Sequence, residues 1–114
     1  MKLWLRAGSA VILTGVFAIA PALGSPSKTD DAASDLFKAK CSMCHGPDGK
    51  GFSAIKTPDF TDPKWQEKIT DHQMLDTIKN GKKDTMMKGF GDKLSEDEIG
   101  TLAKYIRSLN SKRK

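Results

Sequence analysis

Beyond a nearly continuous apolar run at 7–20, the apolar positions of this chain recur at helical spacing in short segments divided by glycine and proline. Ala33, Leu36, Phe37 and Lys40, behind an acidic start, predict a helix over 31–41. Asp62-Pro63 opens a short helix running past Trp65 to about Lys68, with proline at the first helical position. Thr70 to Gln73 forms a capping box, followed by Met74, Leu75 and Ile78 on one face and a stop at Asn80-Gly81. Ser95 to Glu98 forms a second box, backed by the stripe Ile99, Leu102, Ala103, Ile106 and Leu109, with Tyr105 beside it. Between these segments, 46–51 is a turn-rich loop, 52–61 is irregular around Pro58, and 82–91 is a loop. No strand pattern and no repeat is visible, so the expected fold is all-α, with three to five helices.

The apolar run changes the domain count. Lys2 and Arg6 precede it and small residues close it, with Ala20-Pro21-Ala22 and Ala22-Leu23-Gly24 both fitting a processing site. A secretory signal peptide over 1–24 is expected, since the run falls short of the roughly 20 residues of a spanning helix. An uncleaved anchor is the alternative. Next come a flexible leader at 25–30, one domain over 31–110 and a basic tail at 111–114. The remaining 90 residues suffice for a single domain near the lower limit for a self-sufficient apolar core. Processing takes the 19 basic residues to 17 against 14 acidic ones, a formal +3. Lys112-Arg113-Lys114 has no interleaved aromatics and reads as a solvated tail, which argues against nucleic-acid binding. Lysines spread along the chain are suited to steering it toward an acidic partner.

The candidate chemistry lies in Cys41-Ser42-Met43-Cys44-His45, a C-x-x-C-H motif of the kind that attaches haem covalently. Cysteines three apart on a helical turn project the same way, so both sulfurs can reach one porphyrin edge. His45 then presents a nitrogen to iron as the proximal ligand. A zinc half-site, a thioredoxin-type pair and a plain disulfide are the competing readings. Zinc lacks further cysteines and has only His72 to recruit, and a thioredoxin site wants a βαβ pattern. A covalent porphyrin would supply the apolar bulk that so short a domain lacks, so the haem-free chain is expected to be largely unfolded.

In order, Leu36 to Cys41 with Cys44-His45-Gly46, Thr57-Pro58-Asp59-Phe60, Asn80-Gly81 with Met87-Lys88-Gly89-Phe90, and Leu94 to Leu109 resemble class I cytochrome c. The similarity is greatest to short bacterial monohaem proteins related to cytochrome domains of oxidase complexes. It implies a small cytochrome c fold around one covalent haem c, with the first and last helices crossing beside it. Ala33, Phe37 and Tyr105 match the contact positions of that crossing. The family's export-linked haem attachment agrees with the signal peptide.

The resemblance implies Met87 as the second axial ligand, in the register Met-Pro-x-Phe with Lys88 in place of proline, and leaves Met86 as the alternative. Core filling is the plainer role for either, and for Met43 and Met74. His72 reads as a surface histidine. Pro58 matches the proline whose carbonyl receives the other imidazole nitrogen of His45. Trp65 is expected to cover the haem edge with its N–H toward a propionate, or to be ordinary core.

A His–Met iron has no open position and a raised reduction potential. The expected function is therefore soluble one-electron carriage, without catalysis, between periplasmic or membrane-bound redox complexes. The expected partners are a membrane cytochrome complex, a terminal oxidase or a periplasmic dehydrogenase. They would meet a monomeric carrier in brief, salt-sensitive encounters. The rival reading is a haem-based gas sensor or small haem enzyme with an open sixth position. A lysine swap at alkaline pH would draw on Lys82, Lys83 or Lys88.

Overall fold

A computed structural model describes residues 28–110 together with positions 8, 10, 12, 15, 16 and 18. Apart from those six positions, the signal-peptide reading of 1–24 and the tail at 111–114 lie outside the described residues.

Five α-helices follow in order: α1 Lys28–Lys40, α2 Ser42–His45, α3 Pro63–Lys68, α4 Asp71–Asn80 and α5 Glu96–Ser108. A 3₁₀ turn, Ser53–Ile55, interrupts the stretch expected to be irregular. Among the described residues the only extended pairing is a single antiparallel bridge, Gly81 with Lys88. The fold is the all-α one that the sequence predicts.

The helix starts follow from local hydrogen bonds. Thr70 Oγ1 accepts from Gln73 N at 3.1 Å while Gln73 Oε1 accepts from Thr70 N at 2.9 Å. Ser95 and Glu98 do the same at 3.1 and 2.8 Å. Asp62 caps α3 by accepting from Lys64 N at 3.0 Å, with Pro63 at the first position. The first helix departs from expectation, since it begins at Lys28 and takes in part of the leader assigned to 25–30. Asp30 and Asp31 then fall in its first turn and Lys38 and Lys40 in its last, which suits the helix dipole at both ends. It also stops one residue before Cys41.

The core joins α1 to α5. Phe37 is fully buried and Ala33 nearly so, against Ile99, Leu102, Ala103 and Ile106. Tyr105, expected beside the stripe, is buried with them; its ring lies 5.3 Å from that of Phe37 and its hydroxyl 3.4 Å from Ser34 Oγ. From α4, Met74 and Ile78 enter the core, whereas Leu75, expected on the same face, is exposed. This crossing of first and last helices leaves the two long loops to be arranged along its side.

Candidate functional site

The end of α1 passes directly into the motif. Cys41 N donates to Phe37 O at 2.8 Å, and His45 N donates back to Cys41 O at 2.9 Å. Cys41 is therefore the pivot between two helical turns. Ser42 Oγ, donating to Lys38 O at 2.5 Å, ties the second turn to the first. Cys41, Cys44 and His45 are half-buried on this turn, while Met43 between them points outward.

Both cysteines are free thiols. Burial, and secondarily the neighbouring Cys44, pushes the Cys41 thiol up to about 11. Among the described residues no three His, Cys, Asp or Glu side chains gather in reach of one metal ion.

Burial lowers the His45 imidazole below its usual pKa, which keeps a lone pair free for a metal. Its ring stacks on Phe60, centroids 4.7 Å apart and planes 22° from parallel. Its Nδ1 is buried and has no hydrogen-bond partner. The bond expected from His45 to the Pro58 carbonyl is thus not formed. That carbonyl faces Gly51 instead, where a Cβ would stand 2.5 Å from it. Gly51 in turn donates its N–H to His45 O at 2.8 Å, at a φ of +72°. The absence of a side chain at Gly51 lets the 57–60 segment fold against the motif. Trp65 is half-buried against the core, its ring 4.8 Å from that of Phe60.

The second loop is anchored at the end of α4. Phe90 N donates to Ile78 O at 2.8 Å, Gly91 N to Lys79 O at 2.9 Å and Lys82 N to Met87 O at 3.0 Å. A Cβ at Gly89 would strike the Lys79 carbonyl, so backbone meets backbone there. Met87 is half-buried and Met86 is 82% exposed. His72 is exposed on α4, as a surface histidine should be.

Two half-buried free thiols and a half-buried imidazole on one turn form a donor set suited to a covalent haem. The residues that sequence reasoning missed are Phe60 as a ring partner of His45, Gly51 and Gly89 as contact points, and Gln66. Residues separated by long loops leave no periodic signal, and α3 is too short to display a face.

Residues 28–106 match the family model described as cytochrome C oxidase, cbb3-type, subunit III. The cbb3-type cytochrome c oxidase subunit CcoP of Rubrivivax gelatinosus is 38% identical over 86 residues, 71% of this chain and 27% of that protein. The corresponding FixP subunit of Azorhizobium caulinodans is 32% identical over 75 residues, 66% and 25% of the two chains. The chain thus spans about a quarter of the length of these curated relatives. Among solved structures, the KustC0563 c-type cytochrome superposes with a TM-score of 0.62 at 29% identity, covering 68% of this chain and 95% of that one. Cytochrome CL of Methylophaga aminisulfidivorans gives 0.59 at 26% identity, covering 74% and 55%.

Proposed function

Because the chain belongs to the cbb3-type cytochrome c oxidase subunit III family, we propose that it works as a soluble one-electron carrier in the periplasm. Its cofactor is covalently bound haem c and its chemistry is electron transfer. The observation that supports the site assignment most is a half-buried His45 on the same helical turn as two free, half-buried thiols.

In this reading Cys41 and Cys44 would hold the haem by thioethers and His45 would ligate its iron. Met87 would be the second iron ligand, supported by its half-burial beside an exposed Met86. Bound haem supplies a one-electron iron couple. The chain keeps water from the imidazole with Phe60 and its neighbour Trp65, and with both ligands bound the iron would have no position left for a substrate. An unchanged ligand pair lets the electron come and go with little rearrangement, so the protein is a redox component without catalysis of its own. The basic start and apolar run of residues 1–24, read as a signal peptide, support a periplasmic location. A terminal oxidase is the proposed partner, since the relatives are named as subunits of cbb3-type oxidases.

The visible spectrum of the exported protein, oxidised and reduced, with and without carbon monoxide, tests this reading. A low-spin spectrum with the weak red methionine-to-ferric band, indifferent to carbon monoxide, is expected. Met87→Leu should abolish that band and Met86→Leu should leave it. A high-spin spectrum shifted by carbon monoxide in the unaltered protein would instead mean an open iron and a sensor or enzyme. Reduction of a cbb3-type oxidase by the carrier should slow as salt is added.

A further inference from the structure

Gln66 is a polar side chain only 7% exposed, on the six-residue helix α3. Its amide nitrogen donates to Phe60 O at 2.7 Å and to Ile106 O at 2.9 Å, which uses both of its N–H groups. Its amide oxygen accepts from Arg107 Nη1 at 2.9 Å. The same guanidinium donates to Gln66 O at 2.6 Å, to Ile69 O, and through Nε to Asp71 Oδ1 at 2.7 Å. The amide therefore has one orientation. Turned over, it would set its oxygen against two carbonyls.

This clamp ends on Phe60. The Phe60 carbonyl is held by Gln66, its N–H donates to Gly49 O at 2.8 Å, and its ring lies between Trp65 and His45. Ligating histidines are usually oriented by a hydrogen bond from the nitrogen that does not bind metal. The flat face in contact with the His45 imidazole is Phe60, which constrains the same ring from its side. We propose that the Phe60 ring sets the plane of the His45 imidazole, and that Gln66, locked by Arg107, is the positioning residue that holds Phe60 there. The proposal rests on the reading of His45 as an iron ligand. A stacked ring leaves the imidazole free to slide but not to tilt, so loosening the stack alters the angle at which the ligand plane meets the iron.

The test uses the oxidised, haem-loaded protein and the hyperfine-shifted haem-methyl resonances, whose spread reports the orientation of the axial imidazole. Phe60→Leu keeps apolar bulk and removes the flat face. Gln66→Met keeps volume and removes the clamp. Both should change the methyl spread in the same direction, Phe60→Leu more strongly. The double variant should resemble Phe60→Leu alone, because Gln66 acts through that ring. Should Gln66→Met fail to fold, Arg107→Lys supplies the comparison, since an ammonium cannot reach Gln66 and the Ile69 carbonyl together. A smaller change in the same direction is expected of it.

Ser95→Ala, which removes the cap at the far end of α5 from Arg107, should lower stability and leave the resonances in place. An unchanged spread in Gln66→Met or Arg107→Lys, or effects that add fully to Phe60→Leu, would overturn the proposal while His45 ligation stands. Absence of shifted imidazole resonances from the unaltered protein would remove the ligand assignment and the proposal together.

Discussion

The α1–α5 crossing and the loop-built site beside it are made by opposite means. In the crossing, apolar faces meet: Ala33 and Phe37 against Ile99, Leu102 and Ile106, with the start of α5 closed by its own capping box. In the site, Gly51 and Gly89 let backbone approach backbone, and two free thiols and an imidazole converge on one turn beside Phe60. The crossing rests on its own contacts. The site gains stability from whatever binds to the folded chain. A chain of this size, with a modest core, gains a large share of its folding free energy in that way.

Removing the attachment should have the largest effect. Cys41→Ala with Cys44→Ala is expected to give no haem-stained band on a denaturing gel. Circular dichroism should then show a largely unfolded chain, whereas a well-folded haem-free domain would mean that the crossing stands alone. Within the haem-loaded protein, Leu102→Ala strikes the crossing. It should cost about 3 kcal/mol in denaturant unfolding while leaving the visible spectrum as it was. A spectral change there would show that the two regions are not separable.

Gly89→Ala is the converse test. A Cβ there meets the Lys79 carbonyl, so the Met87 loop has to move. The expected cost in global stability is smaller, about 2 kcal/mol, but the methionine-to-ferric band should weaken or vanish. The smallest effect belongs to Gly100→Ala on α5, where a Cβ would meet nothing within 4 Å. It should raise stability by about 0.5–1 kcal/mol through helix propensity alone, read as a higher melting temperature with an unchanged spectrum.

What was readable along the chain tracks the range of the interaction involved. Thr70 with Gln73, Ser95 with Glu98, and Asp62-Pro63 announce their helices because a cap is settled within three residues. The early start of α1 leaves no local mark, since Lys28 and Thr29 carry no capping signature and the acidic start predicts the helix only from Asp31. Tyr105 lies beside its stripe and is core, at the crossing contact that the resemblance implies, with Phe37 on α1 as its ring partner. The Pro58 carbonyl was the expected acceptor for His45 and turned to Gly51 instead, a matter of loop path that spacing cannot express.

The sequence by itself determined the covalent chemistry, the all-α class and the helix starts, because C-x-x-C-H, periodic apolar faces and capping boxes act between residues a turn or two apart. Only the tertiary structure decided what surrounds the imidazole. Phe60 reaches His45 across a fifteen-residue separation, and Gln66 joins Phe60 to a carbonyl forty residues further on. Those contacts exist because the two outer helices cross and draw the intervening loops together, and no local pattern records where a loop comes to rest.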